Sequence, residues 1–316
     1  MIDSYIAEGE KKLQESGIMG RYGANRGNST RITRDYLDSM LIEMRVIGSV
    51  PASTEFKLFG ETFASPVMTA ALSGLKEIHP DGMVEVARGA AAARAVMWTG
   101  IGDDGEITAI ARTGARAIKI IKPYADNALI HHKIKLSEKL GLLAVGMDVD
   151  YVFGGKNKRG FAKEFPVSPK SLDDIKGFIK ASGLPFILKG ILSEQDAEKA
   201  LEAGAGGIVV SHHGGSVLDY AVPPLMILPK IRKIAGEKFP IFVDCSIVSG
   251  ADVFKAIALG AGAASLGRAV MAGLAAGGAE GVRKVIEGVN EDLRAIMSLT
   301  GAASICSVSP DILTFR

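Results

Sequence analysis

The chain has 316 residues, a formal net charge of +2, and 47% hydrophobic against 23% charged residues, so it is globular rather than disordered and large enough for one α/β domain or two smaller ones. This small net charge argues against nucleic acid or an acidic membrane surface as the main partner. The 2 cysteines predict no disulfide framework and favour a reducing, cytoplasmic environment, and we find neither a signal peptide nor an apolar run of membrane-spanning length.

The N-terminal part, residues 1–60, is predicted to be a lead-in that packs on a barrel formed by residues 61–316. Apolar residues at helical spacing predict a helix over residues 2–16 and a second one over residues 33–44. Extended chain and a hairpin are predicted over residues 46–63.

From residue 65 onward, short apolar runs alternate with amphipathic segments. The predicted strands cover residues 66–71, 93–98, 117–121, 142–147, 185–188, 207–210, 240–243 and 263–266. The predicted helices between them cover residues 82–92, 104–113, 128–140, 193–203, 221–235 and 250–259, and a closing helix covers residues 281–299.

Three of these helices end in a Gly-Ala turn, at Gly114, Gly204 and Gly260, which is the helix C-cap glycine at matching places of a repeating unit. Eight strands that alternate with helices predict a (β/α)8 barrel. The structural alternative is a doubly wound open sheet, but the Gly-x-Gly-x-x-Gly fingerprint after its first strand is absent.

The carboxyl ends of the strands carry the candidate chemistry, as expected for a barrel of this kind. The sixth strand is followed by Ser211-His212-His213-Gly214-Gly215. Neighbouring residues point to opposite faces of a strand, so the two histidines are poorly placed to share a metal ion, and we predict no metal site. One histidine is instead predicted to be a general base that Asp148, at the end of the fourth strand, orients; a helix N-cap is the other role open to Asp148.

Cationic and small residues at other strand ends predict an anion site. Lys189, directly after the fifth strand, is either a fixed cation in the site or a lysine that extends to solvent, and we favour the site. The loops after the seventh and eighth strands are the usual phosphate cradle of such barrels, and Arg268 adds a forked cation. A surface arginine is the alternative for Arg268, and a plain tight turn is the alternative for the small residues Ala70 and Ala71.

Four motifs carry a resemblance to a known family: Leu188-Lys189-Gly190-Ile191, Ser211-His212-His213-Gly214-Gly215 with Leu218-Asp219, the segment 250–256, and Leu266-Gly267-Arg268. The chain resembles the FMN-dependent α-hydroxy-acid oxidase and dehydrogenase family, which includes glycolate oxidase and lactate oxidase. The match is most specific over residues 185–299. The resemblance implies a (β/α)8 barrel, FMN as cofactor, a small-molecule substrate and a homo-oligomer, a tetramer in that family.

The resemblance also implies a role for individual residues. His213 matches the catalytic base, Asp148 its partner, and Lys189 the cation beside the flavin ring. His213 and Lys189 are also implied FMN contacts. The others are Ala70 and Ala71 against the ring, Lys119 at the position of a glutamine that faces it, Asp244 on the ribityl chain, Gly267 and Arg268 on the phosphate, together with Ser211, Gly214 and Ser246.

This sequence departs from the family where the substrate is held. Ser216 stands in place of the arginine that binds the substrate carboxylate, and Ile121 aligns with the family's third-strand tyrosine. Serine cannot replace a bidentate arginine. If the substrate is a carboxylate, Lys119, Lys122 or Arg159 is expected to hold it instead.

Two loops depart as well. Residues 149–155 replace an arginine-rich loop after the fourth strand, and Cys245-Ser246 replaces two glycines after the seventh. The half of the site that binds the flavin is therefore largely retained, whereas the half that binds a carboxylate is largely changed.

Four functions are compatible with these residues. The first is an FMN enzyme that oxidises a hydroxyl-bearing carbon, in which His213 takes the proton and the flavin takes the hydride. The second is a non-oxidative FMN enzyme similar to type II isopentenyl-diphosphate isomerase, and the third is a flavin-binding protein with little turnover. The fourth is a Schiff-base aldolase that acts through Lys189, which needs a lysine of depressed pKa.

Overall fold

The computed structural model describes residues 2–18, 27–153 and 165–316. The lead-in consists of the helices α1 (Ile2–Glu15) and α2 (Asn28–Ser39), the strand β1 (Met40–Ile42) and the hairpin strands β2 (Phe56–Leu58) and β3 (Glu61–Phe63). The predicted boundary between residues 60 and 61 therefore falls in the turn of this hairpin.

Eight parallel strands form the barrel, as predicted. They are β4 (Val67–Thr69), β5 (Met97–Thr99), β6 (Ala117–Ile121), β7 (Ala144–Asp148), β8 (Phe186–Ile191), β9 (Gly207–Val210), β10 (Ile241–Val243) and β11 (Ala263–Leu266). Sequential strands are neighbours, and β11 pairs with β4 in the register Ala264 to Val67. The Thr69 amide donates to the Val96 carbonyl at 3.2 Å, and Leu72 forms a parallel bridge with Thr99, so the ring of strands closes.

The helices lie outside the strands. They are α3 (Gly82–Ala92), α4 (Asp104–Arg112), α5 (Asn127–Lys139), α6 (Leu172–Ala181), α7 (Glu194–Glu202), α8 (Pro224–Ala235), α9 (Gly250–Ala258) and α10 (Arg268–Leu299). Short 3-10 helices cover Leu75–Glu77, His213–Gly215, Ile305–Ser307 and Pro310–Ile312. The closing helix is longer than predicted, because α10 joins two helical parts across a kink at Gly277 and Gly278.

The predicted second helix of the lead-in is wrong at its C-terminal end. Instead of continuing to residue 44, α2 ends at Ser39, and β1 pairs antiparallel with a C-terminal strand, β12 (Leu313–Phe315). Pairing between Met40 and Phe315 is a contact between distant parts of the chain, and such tertiary contacts override the local helical pattern.

Apolar side chains form two layers. An inner layer fills the barrel, and an outer layer packs the helices against the outside of the strands. Met68, Trp98, Ile120 and Phe242 belong to the inner layer, where the rings of Trp98 and Phe242 meet edge to face at 5.2 Å between centroids. The hairpin adds apolar side chains to this inner layer and so closes the amino-terminal end of the barrel.

Alternation along each strand decides which residues reach the mouth of the barrel, because side chains two positions apart point the same way. The carboxyl ends of the strands present a ring of small or charged side chains to the interior, each an even number of positions after an inner apolar residue of the same strand: Ala70, Lys122, Asp148, Lys189, Ser211, Asp244 and Ser265. Across the described part of the chain, no helix combines the length and the apolar character needed to cross a membrane.

Candidate functional site

A cavity of about 330 Å³ opens at the carboxyl ends of the barrel strands, a volume within the usual range for ligand pockets. Most of the residues predicted to bind the cofactor line it: Ala70, Ala71, Lys189, His213, Gly214, Asp244, Ser246, Gly267 and Arg268. Ser211 lies behind this wall, where its hydroxyl accepts from the His213 amide at 3.0 Å. The roles of these residues stay predictions; their convergence on one cavity is a feature of the structure.

Two lysines and two aspartates form a buried charge cluster in and behind the cavity wall, where Lys189 and Asp244 line the cavity and Lys122 and Asp148 lie behind them. The Lys122 ammonium donates to Asp148 at 2.6 Å, and Lys189 lies 3.2 Å from Asp148 and 3.6 Å from Asp244. Burial alone raises the pKa of each carboxyl, but the lysine charges outweigh it and hold both pKa values below their usual range. Asp148 and Asp244 are therefore ionised at neutral pH.

The same cluster fixes the protonation state of Lys189. Burial lowers the pKa of its ammonium, but the carboxylates of Asp148 and Asp244 outweigh this effect and raise the pKa above its ordinary value. A Schiff-base lysine needs the opposite shift, because only the neutral amine is a nucleophile. The structure thus argues against the aldolase alternative and leaves Lys189 as a fixed cation.

The two adjacent histidines have different surroundings. His212 is buried, and its Nδ1 accepts a hydrogen bond from the Gly215 amide at 3.0 Å, so the ring hydrogen is on Nε2. Nε2 donates it to Thr33 Oγ1 of α2 at 2.7 Å. Because burial also lowers its pKa, His212 is a neutral structural residue that joins the lead-in to the loop after β9.

His213 is the histidine that faces the cavity. Its backbone has a φ of 54°, and the Ser216 hydroxyl donates to its carbonyl at 2.7 Å, which holds the turn. Both carboxylate oxygens of Asp150 lie 3.2 Å from its Nδ1, whereas Asp148 is 3.7 Å away. The sequence predicted Asp148 in this position, and the nearer carboxylate, Asp150, was missed although it lies only two residues further on.

Ligand atoms of Asp148, Asp150 and His213 lie within 4.8 Å of one another, as in a metal site. Lys122 and Lys189, however, already surround the Asp148 carboxylate with two positive charges. A cation at this position would meet both ammonium groups at close range, so we assign no metal here.

The third barrel strand requires a correction. Ile118 and Ile120 point into the barrel, so Lys119 points outward, where its ammonium donates to the Gly100 carbonyl, and its pKa falls to about 8, chiefly through burial. The structure does not bring Lys119 to the cavity, and we remove it from the predicted cofactor contacts. The inner lysine is Lys122, and Ile121 likewise packs outward. Arg159, the other candidate for holding a carboxylate, lies outside the described residues.

The far end of the cavity fits the phosphate of FMN. Here α10 begins, with Gly267 at its N-cap and Arg268 in its first turn, so its first amides and a guanidinium line one wall. Ser246 stands opposite, and its buried hydroxyl has no hydrogen-bond partner among the described residues. Cys245 and Ser246 both have positive φ, 74° and 62°, so this turn keeps a left-handed shape that glycine adopts more easily.

The lead-in helix α2 holds this turn in place, a contribution that the sequence did not reveal. Arg34 donates to the Ser246 carbonyl at 3.2 Å and binds both oxygens of the buried Asp252 at 2.8 and 3.1 Å. Thr30 from the same helix lines the cavity. Asp219 in turn caps the helix by accepting from the Asn28 amide at 2.7 Å. The lead-in is therefore part of the site.

Comparisons with known proteins agree with this geometry. Residues 19–173 and 167–315 match the model of the FMN-dependent dehydrogenase family. The peroxisomal (S)-2-hydroxyacid oxidase of Arabidopsis thaliana is 30% identical over 286 residues, which cover 80% of this chain and 78% of that protein. The glycolate oxidase of Spinacia oleracea is 28% identical over 288 residues, covering 80% and 78%.

Solved structures of mandelate oxidase are similar over nearly the whole chain. A variant of that enzyme with (S)-mandelic acid superimposes with a TM-score of 0.90 at 30% identity and covers 98% of both chains. Another variant, described with 2-hydroxy-phenylacetamide, has a TM-score of 0.88 at the same identity and coverage. The likeness thus includes the lead-in as well as the barrel.

Proposed function

The chain belongs to the FMN-dependent dehydrogenase family, and we propose that it oxidises a hydroxyl-bearing substrate, a 2-hydroxy acid or a close relative, with FMN as its cofactor. The observation that carries this proposal is the position of His213, which faces the cavity with its Nδ1 against a carboxylate. Such a histidine is built to take a proton with its other ring nitrogen. A flavin-binding protein without turnover has no evident need of this arrangement.

The residues that line the cavity divide into those that hold FMN and those that act on the substrate. Gly267, Arg268 and Ser246 would hold the phosphate, Asp244 the ribityl chain, and the backbone at Ala70 the ring. When bound, FMN supplies the acceptor for the hydride that leaves the substrate carbon. Lys189 adds a permanent positive charge in the cavity wall, which favours negative charge on the group beside it.

On the substrate side, His213 takes the hydroxyl proton at Nε2, because Nδ1 faces Asp150. The positive charge that forms on the imidazole is stabilised by that carboxylate, as in other carboxylate–histidine pairs. Tyr151 packs against the ring at 5.5 Å between centroids and limits its rotation. These residues bind, orient and move the proton.

Simple 2-hydroxy acids are expected to reduce the bound flavin slowly or not at all. The arginine that binds their carboxylate in the family is Ser216 here, and loss of such a desolvated contact costs about 2–5 kcal/mol. Anaerobic stopped-flow absorbance would follow flavin bleaching by glycolate, lactate, mandelate and their neutral amides. We expect the neutral or larger compounds to react faster than glycolate and lactate.

Outcomes of this experiment separate the remaining functions. Bleaching by any hydroxyl compound supports the oxidative function, whereas a flavin that no compound in the panel bleaches favours the isomerase-like or non-catalytic alternatives. Fast bleaching by lactate would instead show that another cation replaces the missing arginine.

Replacing Arg268 with alanine is expected to weaken FMN binding by about 1.5–3 kcal/mol, the usual size of a charge-assisted contact to phosphate. Titration of the apoprotein with FMN, followed by flavin fluorescence, measures the change. Arg112→Ala is the matched control, because Arg112 lies exposed in the last turn of α4, which leads into the amino-terminal end of β6, and it does not line the cavity. Equal affinities of wild type and Arg268→Ala would remove Arg268 from the phosphate site.

We further propose a homo-oligomer in the cytoplasm, a tetramer by family resemblance, with no nucleic acid or membrane partner. The apolar side chains of Leu41, Met44, Ile47 and Val50 are exposed along one segment, and exposed apolar patches commonly mark interfaces. The amphipathic closing helix packs within the chain against α1 and α3 and is thereby covered. The patch around Ile47 is therefore the better candidate for the contact between copies.

A further inference from the structure

We propose that Asp150, rather than Asp148, is the residue that positions the imidazole of His213 for proton transfer. The proposal rests on the proposed function, in which His213 takes the substrate proton. It changes the role expected of Asp148: this residue serves the buried charge cluster, and Asp150, two residues later, makes the contact with the histidine.

The distances favour Asp150. Both of its oxygens lie 3.2 Å from His213 Nδ1, within hydrogen-bond reach, whereas the nearest oxygen of Asp148 is at 3.7 Å. An ionised carboxylate accepts hydrogen bonds and cannot donate them, so the contact requires the hydrogen on Nδ1. Nε2 is then left with its lone pair, which is the form that a general base needs.

Asp148 is committed elsewhere. One of its oxygens accepts a hydrogen bond from Lys122 at 2.6 Å. The other forms an ion pair with Lys189 at 3.2 Å and accepts no hydrogen bond among the described residues, His213 included. The Asp148 side chain is only 3% exposed, so two ammonium charges compensate it in a medium of low dielectric. The two lysines therefore largely balance the negative charge of Asp148, so it acts only weakly on the imidazole. The Asp150 carboxylate, in contrast, is hydrogen-bonded to the ring.

The segment that carries Asp150 is fixed by the neighbouring strand. The Val149 amide donates to the Lys189 carbonyl at 2.8 Å. Next to it, Gly190 has a φ of +99°, and a Cβ at this position would lie 2.4 Å from Asp150 Cγ. Only glycine leaves room for the Asp150 carboxylate here.

Tyr151 completes the arrangement from the other side. Its ring packs on the His213 ring at 5.5 Å between centroids and lies 4.1 Å from the Lys122 ammonium. The Asp150 carboxylate and the Tyr151 ring therefore together fix the position of the imidazole and the orientation of its plane. Asp150 and Tyr151 belong to the segment that replaces the family's arginine-rich loop in this chain.

The test follows the tautomer of His213 and the reaction rate separately. The tautomer is read from the ¹⁵N signals of protein that is loaded with FMN and labelled with ¹⁵N-histidine. The chain has 5 histidines, and the signal that disappears in His213→Asn is the one that belongs to His213. We expect the wild type to show the Nδ1–H tautomer, Asp150→Ala to lose it, and Asp150→Glu to regain it in part. With any compound that bleaches the flavin, Asp150→Ala should reduce the rate at saturation roughly 100-fold.

Asp148→Asn is the matched comparison, and we expect it to lower thermal stability while the tautomer stays as in the wild type. If Asp148→Asn does not fold, the Asp150 variants alone still test whether Asp150 sets the tautomer of His213. An unchanged tautomer and an unchanged rate in Asp150→Ala would overturn the proposal. The tautomer is measured without substrate, so it tests the role of Asp150 independently of turnover. If Asp150→Ala changes the tautomer but no compound bleaches the flavin, the positioning role is supported and the proposed function is rejected.

Discussion

Replacing His213 with asparagine is expected to slow reduction of the bound flavin by about 10²- to 10⁴-fold, the range that a general base contributes. Asparagine is close to imidazole in size but cannot take a proton at neutral pH. The residue lines the cavity and is itself partly exposed, and the asparagine amide can still donate a hydrogen bond to Asp150, so we expect the fold to tolerate the change. Anaerobic stopped-flow absorbance with the best compound of the hydroxy-acid panel measures the rate.

The neighbouring histidine provides the control for this experiment. His212→Asn should lower thermal stability, because His212 Nε2 donates to Thr33 on α2, yet it should leave the rate at saturating FMN and substrate close to that of the wild type. FMN affinity of His213→Asn should remain within about twofold, well below the tenfold change that 1.4 kcal/mol produces. If the two variants are slowed equally, the proton acceptor is not His213.

The barrel could be predicted from the sequence because its strands are buried on both faces. A strand such as Gly207–Val210 reads as a continuous apolar run, and the glycine that ends the preceding helix marks where the strand begins. Repetition of this pattern made the fold class clear. The helix α6 was not predicted, although its capping box, Ser171 with Asp174, is a recognisable start signal.

Pairing between distant segments could not be predicted in the same way. β1 and β12 lie at opposite ends of the chain, and each is only 3 residues long. Local propensity in such short segments is weak, so the partner decides the structure. The same holds for Arg34, whose bond to the Ser246 carbonyl joins parts of the chain 212 residues apart.

In the site, the residue types at the strand ends were predicted better than the directions of their side chains. Lys119 was predicted to face the flavin, but neighbouring side chains on a strand point to opposite faces, and Lys119 lies on the outer face. Ile118 and Ile120, one on each side, belong to the inner layer and show the correct alternation. Asp150 was missed because its position depends on the close approach of Gly190, which only the fold reveals.

Replacing Lys189 with methionine is expected to lower the free energy of unfolding by about 3–5 kcal/mol at neutral pH, since removal of one partner leaves buried charge uncompensated. Asp148 keeps Lys122, but Asp244 loses the one ion pair recorded for it among the described residues. Denaturant unfolding of the apoprotein measures the loss. In the holoprotein the flavin's reduction potential should also fall, because negative charge on the reduced ring loses a nearby cation.

The pH dependence of the difference in unfolding free energy between wild type and Lys189→Met shows whether lost charge or disturbed packing causes it. In the wild type, Asp148 and Asp244 have lowered pKa values, so their contribution to stability is present above the unfolded value of about 3.9 and is lost as the pH falls through the lowered ones. Lys189 has a raised pKa, so its contribution is present below about 10.4 and is lost as the pH rises further. The gap between wild type and Lys189→Met should therefore be widest between about pH 4 and 10 and shrink below pH 4, where protonated carboxyls need no cation.

Lys189→Arg, which keeps the charge but not the shape, provides the matched control and should recover part of the stability without all of the flavin affinity. A gap between wild type and Lys189→Met that is equally large at pH 3 and pH 7 would mean that the methionine disturbs packing and that the charge cluster contributes little. A gap that closes in acid would show that Lys189 in the cavity wall balances two carboxylates. Asp244 would then be held as an anion beside the cofactor by the same lysine whose charge favours the reduced flavin.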